Sequence, residues 1–264
     1  MNWFGDLNPI LQALIATTFT WGITLLGALM VCFFKEVNKK ALNTILGFSA
    51  GVMIAASFWS LLLPSIELSE ELGYIAWGLP ALGFILGGLF VLLSDKFLDK
   101  TLSDKNSIKK DSLKRSILLV SAITLHNIPE GMSIGVAFGG ISSGVSGMTL
   151  IGAIMLAIGI GIQNFPEGAA VSLPLRKEGF SRKKSFFIGQ ASALVEPISA
   201  VIGVILVLAV RSILPILLSF AAGAMITVAA RELLPESISE NKNLSTLGLI
   251  FGFVLMMVLD VALG

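Results

Sequence analysis

Leu150–Leu173 reads LIGAIMLAIGIGIQNFPEGAAVSL, an apolar run whose one charged residue, Glu167, sits in a polar hexad, Gln163-Asn164-Phe165-Pro166-Glu167-Gly168. A helix needs roughly 20 apolar residues to cross the hydrocarbon core, because each residue rises about 1.5 Å and every backbone group must find its partner inside the segment. The run meets that length, so the hexad lies within a membrane span. Working outward, the preceding apolar run holds the same pattern, His126-Asn127-Ile128-Pro129-Glu130-Gly131. Two adjacent spans therefore carry matched polar patches.

The rest of the chain agrees with a bilayer as its solvent. It has 264 residues, 55% hydrophobic and 13% charged, with a mean hydropathy of +0.90, whereas soluble domains carry about 25% charged residues. The length rule predicts an all-α integral membrane protein of about eight transmembrane helices, near 9–34, 41–64, 74–98, 116–139, 147–173, 183–209, 212–234 and 245–263. These form one polytopic domain over 1–264. The stretch 99–115, rich in Lys, Ser and Asp, is expected to be a mobile cytoplasmic loop. The first residues, MNWFGDLNPI, lack the basic start and cleavage site of a secretory signal, so the first run is expected to remain as a span. Cys32 is the single cysteine, which excludes an intramolecular disulfide and a cysteine metal cluster. The net charge of +1 gives no reason to expect nucleic acid as a partner.

Lysine and arginine are retained in cytoplasmic loops. Here Lys35, Lys39 and Lys40 fall in the first connection, Lys96, Lys100, Lys105, Lys109, Lys110, Lys114 and Arg115 in or beside the third, and Arg176, Lys177, Arg182, Lys183 and Lys184 in the fifth. Lys242 follows in the seventh, while the second carries Glu67, Glu70 and Glu71. Both termini are accordingly expected outside, in a cell membrane. Glycine is frequent, 27 in all, as in LGFSAGVM and SFAAGAM, and small residues let membrane helices approach closely, so the spans are expected to form a tight bundle.

The hexads carry the chemistry. Residues three and four apart share a helix face, so His126 and Asn127 overhang Glu130, and Gln163 and Asn164 overhang Glu167. Each proline lacks an N–H and exposes the carbonyl four residues back, those of Leu125 and Ile162. An ionisable residue at mid-membrane costs at least about 2.5 kcal/mol on insertion scales and faces the bundle interior or a wet path. Two carboxylates brought together there disfavour joint ionisation unless a cation lies between them. Imidazole suits zinc, iron, copper and nickel, and carboxylate and amide oxygens suit harder ions such as manganese, which points to a divalent metal site of modest selectivity. Glu196, followed by Pro197 in the sixth span, is a further candidate ligand. Glu232 and Glu236, at the end of the seventh, are candidates for an exit path. Glu67, Glu70 and Glu71 could draw cations to an entrance, and Asp260 is another intramembrane acid. Packing is the ordinary role of a lone polar residue in a span; the repeat of paired acids is what goes beyond it.

HNIPEG followed by QNFPEG in the next helix resembles the ZIP family of divalent metal transporters, the Zrt- and Irt-like proteins, and is most similar to its GufA-like bacterial branch. The resemblance covers nearly the whole chain. It implies a binuclear centre, with His126, Glu130, Gln163 and Glu167 around one ion and Asn127, Glu130, Asn164, Glu167 and Glu196 around the other. It also implies import of zinc, with cadmium, iron or manganese as further substrates, a homodimer, and an elevator-like or rocking movement of the bundle holding the fourth and fifth helices. Two departures stand out. Many members have a His-rich third connection, whereas the single histidine here is His126. A histidine that often precedes the acid of the seventh span is Arg231, whose charge could neutralise Glu232.

The resulting expectation is a transporter with no prosthetic group, whose metal ions are substrates. Paired carboxylates and two metals could also activate water for hydrolysis, but the chain has no HExxH pattern, so an enzyme is not expected. A non-transporting metal sensor is the other alternative.

Overall fold

The computed structural model describes residues 2–33, 38–102, 108–145, 148–239 and 241–263. Among these the chain is helical, without strands. Eight long helical stretches run in order: α1 (Pro9–Phe33), α2 (Lys40–Glu71), α3 (Gly78–Leu102), α4 (Ile108–Ser142), α5 (Leu150–Lys177), α6 (Arg182–Ala209), α7 (Leu214–Ser237) and α8 (Lys242–Ala262). Six of them, α1, α2, α5, α6, α7 and α8, are long and apolar enough to cross a membrane, and in α3 the apolar part is the shorter Gly78–Ser94. The stretch 99–115, expected as a loop, is helical at 99–102 and 108–115. Lysine has good helix propensity, and two flanking helices extend through its charges. The rest of that expected loop lies outside the described residues.

Local chemistry sets the ends. Thr149, Ser181 and Asn241 accept from the backbone N–H of Gly152, Lys184 and Leu244 at 2.9, 3.2 and 3.1 Å, satisfying donors that open a helix. Gly73, Gly144 and Gly179 take positive φ just beyond α2, α4 and α5, the left-handed conformation that stops a helix. Two prolines leave a different mark. The helix widens into a π turn at Ser57–Leu62, ahead of Pro64, and at Ala229–Leu233, ahead of Pro235. An i+5 turn makes room for a ring that would press on the carbonyl four residues back.

Polarity is arranged inside out relative to a soluble protein. Leu82, Ile85, Leu89 and Leu93 of α3, and Leu247, Ile250, Phe251 and Val254 of α8, face outward, whereas Thr17, Thr20, Asn127, Gln163, Asn164 and Ser219 are buried. Lipid solvates the first set as well as a protein core would, so association must come from close packing and polar contacts.

That packing divides the helices into two groups. α1 packs chiefly on α5, and α4 on α6, with further contacts that join all four; α2 packs on α8, and α3 on α7, and the two pairs meet through α2 and α7. Glycines make the division visible. A methyl added at Gly27 or Gly168 would strike the backbone of the α1–α5 partner, at Phe165 and Thr24. One at Gly131, Gly135 or Gly203 would strike backbone across α4–α6. Gly47 and Gly51 of α2 stand against α8 backbone, as Gly248 and Gly252 stand against α2 backbone, and Gly83, Gly87 and Gly223 do the same for α3–α7. Gly159, which faces from one group to the other, meets only side-chain atoms of Met256 and Val52. At these glycines backbones touch within each group, whereas at Gly159 the contact between the groups is made by side chains.

Gly87→Ala should therefore force α3 from α7 and cost about 1–3 kcal/mol, as overpacking does, read as a lower melting midpoint in detergent. Gly22→Ala, where an added methyl meets nothing within 4 Å, should hold or raise that midpoint.

Candidate metal centre

Three prolines shape the interior of the first group. Pro129 and Pro166 lie within α4 and α5, which stay helical through them. Pro197 follows Glu196 where α6 breaks, between Ala191 and Val195. The Ala193 carbonyl, which the proline cannot serve, accepts instead from the Glu196 N–H at 3.1 Å. The Ser192 carbonyl accepts from Asn127 Nδ2 at 3.0 Å. Glu196 thus stands in the first turn of a new helical segment, where aligned N–H dipoles favour an anion.

Glu130 and Glu196 are wholly buried and Glu167 is 3% exposed. Amides bridge them. Gln163 Nε2 of α5 donates to Glu130 Oε1 of α4. Asn164 Nδ2 donates to Glu196 Oε1 of α6 at 2.9 Å and to the Thr20 carbonyl of α1 at 3.5 Å. Thr20 Oγ1 donates to Glu196 Oε2 and lies 3.1 Å from the Thr17 carbonyl. From the other group, Ser49 Oγ of α2 reaches the Gln163 carbonyl at 3.4 Å. The arrangement draws Asn127, Glu130, Gln163, Asn164, Glu167 and Glu196 into the interior shared by α1, α4, α5 and α6. The backbone of His126 belongs to α4, and its side chain lies outside the described residues.

The amides have a consistent orientation. Asn127, Gln163 and Asn164 each turn their nitrogen to a structural partner, while Asn127 Oδ1, Gln163 Oε1 and Asn164 Oδ1 are buried and accept no hydrogen bond among the described residues. A buried acceptor without a donor is destabilising by about 1–3 kcal/mol. Three of them in one bundle with three buried carboxylates form an oxygen-rich set that a divalent cation would satisfy. Among the described residues no three His, Cys, Asp or Glu side chains converge as a metal cluster.

The remaining candidates lie elsewhere. Glu232, half-buried, and Glu236, exposed, sit at the C-terminal end of α7, with Arg231 and Glu232 inside its π turn. Glu67, Glu70 and Glu71 are exposed at the end of α2. Asp260 Oδ1 accepts from Ser60 Oγ at 2.7 Å, beside a cavity of about 240 Å³ lined by Trp59, Met148, Thr149 and Leu156 as well. Sequence reasoning missed Thr20, Ser49 and Ser192. For Thr20 a signal existed: Thr17, Thr20 and Thr24 recur at helical spacing along an apolar span, and all three are buried.

Known proteins resemble this chain along nearly its whole length. A family model described as ZIP zinc transporter matches residues 100–260. Zinc transporter ZIP11 of Homo sapiens is 38% identical, covering 97% of this chain and 98% of that protein. Zinc transporter GufA of Myxococcus xanthus is 34% identical, covering 95% and 98%, and zinc transporter ZupT of Clostridium perfringens is 33% identical, covering 96% of each.

A cation that completes this oxygen set must stabilise the fold. Zinc at a hundredfold above its Kd should stabilise the protein by about 2.7 kcal/mol, read as a rise in melting midpoint in detergent. Gln163→Leu together with Asn164→Leu should remove most of that rise.

Proposed function

The chain belongs to the ZIP zinc-transporter family, and from that premise we propose that it moves zinc into the cytoplasm through two adjacent intramembrane ion positions. Cadmium, iron and manganese are further substrates, because oxygen donors dominate the set and discriminate little among divalent ions. The observation that carries this reading is the group of three buried amide oxygens without donors, in the bundle that also buries Glu130, Glu167 and Glu196. One ion is held by His126, Glu130, Gln163 and Glu167. The other is held by Asn127, Glu130, Asn164, Glu167 and Glu196, with the two shared acids between them.

The chain crosses the membrane eight times with both termini outside, which is supported by the clustering of Lys and Arg in and at the helix ends beside the α1–α2, α3–α4, α5–α6 and α7–α8 connections. A cation enters past Glu67, Glu70, Glu71 and the Ser60–Asp260 cavity, sheds water onto the buried oxygens, and leaves towards Glu232 and Glu236. Arg231 supplies a fixed positive charge beside that exit. Access alternates when α1, α4, α5 and α6 move as one body against α2, α3, α7 and α8. The glycine-locked contacts within each group and the side-chain seam between them suit such a movement, because a rigid body can slide where backbones do not interlock. Two copies assemble as a homodimer.

Proteoliposomes loaded with a fluorescent chelator should show zinc influx that saturates with concentration. Glu130→Ala and Glu167→Ala, at matched orientation, should each reduce it to the level of empty liposomes. Zinc binding without influx in the wild type would make the protein a sensor rather than a transporter.

A further inference from the structure

Thr20 belongs to none of the polar motifs, yet it touches two of the groups that build one ion position. Its hydroxyl donates to Glu196 Oε2, and its carbonyl accepts from Asn164 Nδ2 at 3.5 Å. Asn164 Nδ2 in turn donates to the other oxygen of Glu196 at 2.9 Å. Both oxygens of the buried carboxylate are therefore held, one by α1 and one by α5. The Thr20 hydroxyl carries a single proton and lies within reach of both Glu196 Oε2 and the Thr17 carbonyl.

We propose that Thr20 is a positioning residue for the ion position formed by Asn127, Asn164 and Glu196, fixing the Glu196 carboxylate through its hydroxyl and the Asn164 amide through its carbonyl. This role rests on there being two ion positions. The surroundings leave Glu196 few other ways to be aimed. It follows a break in α6, so helix continuity does not orient it from the N-terminal side. The donor from α1 and the Asn164 amide from α5 hold the two oxygens of the carboxylate from different helices. Groups that hydrogen-bond a metal's ligands fix ligand orientation, and their loss typically lowers metal affinity about 10–100-fold.

The position on α1 also explains why threonine is built into an otherwise apolar helix. α1 is the strut of the first group: Gly27 and Gly168 bring its backbone against α5 on either side of Pro166, which fixes the height of Thr20 relative to Asn164. A hydroxyl there reaches Glu196 from a frame that is already rigid.

The test compares Thr20→Val, which keeps the carbonyl and the shape but loses the hydroxyl, with Thr20→Ser, which keeps both polar groups. Zinc and cobalt titrations of the purified full chain would be read by calorimetry and by the cobalt visible spectrum. The wild type should bind two ions. Thr20→Val should weaken one of them about 10–100-fold, leave the other within twofold and alter only the part of the cobalt spectrum that belongs to the weakened ion. Thr20→Ser should restore both, whereas the metal-free melting midpoint of Thr20→Val should fall, because Glu196 Oε2 loses its donor, so binding is compared below that midpoint. Two ions bound with unchanged affinity in Thr20→Val would overturn the role of Thr20, as would equal weakening of both ions. Equal weakening in Thr20→Ser would likewise mean that shape rather than the hydroxyl matters. A single ion bound by the wild type would instead overturn the two-ion reading, and the role of Thr20 with it.

Discussion

Burying three carboxylates in one helical bundle is the constraint on which the structure turns. Charges taken from water cost several kcal/mol each unless partners replace the lost hydration. Here the partners are mostly neutral: Gln163 donates to Glu130, and Asn164 and Thr20 donate to Glu196. Neutral donors orient an acid without cancelling its charge. A lysine or arginine in the same place would fill the site with a permanent cation, and an exchangeable metal would then have to displace it. These amides and this hydroxyl thus hold Glu130 and Glu196 in place from neighbouring helices.

Amides suit this task because they have two ends. Asn127 and Asn164 spend their nitrogens on Ser192 and on Glu196 and Thr20, and their oxygens stay uncommitted. Each amide is thus a brace between helices whose oxygen remains without a donor among the described residues. The broken α6 contributes to the same end, since a carbonyl released near Pro197 becomes the acceptor that fixes Asn127. Proline therefore does more than bend a helix here. It exposes a backbone acceptor that pins a side chain.

Much of this was legible before any coordinates. The matched hexads named five of the six described residues that meet in the centre, and Pro197 marked Glu196 as the sixth. Helical spacing explains why those residues share a bundle interior, because i, i+3 and i+4 relations survive whatever the tertiary packing does. Relations between helices are different. Nothing in IATTFTWGIT says that Thr20 will face Glu196 176 positions later, because the contact depends on the rotation and height of α1, which Gly27 and Gly168 set. The same limit applies to 99–115, where composition suggested a loop and the backbone is helical on both sides of 103–107. Charged residues repel lipid, but they do not prevent a helix from continuing past the membrane surface. The π turns fall in a middle category: Pro64 and Pro235 are plain in the sequence, whereas an i+5 widening is only one of several ways to accommodate a proline.

The two levels of packing have opposite requirements that glycine placement reconciles. An ion position made of oxygens from α4, α5 and α6, braced by α1, keeps its geometry only if those four helices do not shift relative to each other. Backbone-to-backbone contact at Gly27, Gly131, Gly135, Gly168 and Gly203 gives that rigidity where lipid supplies no hydrophobic drive. A path across a membrane, by contrast, must change shape somewhere. The seam between the groups has side chains such as Met256 and Val52 facing Gly159, and methionine adapts readily to a changing surface. Backbone contact is thus concentrated around the buried acids, and at Gly159 the contact between the groups is left to side chains.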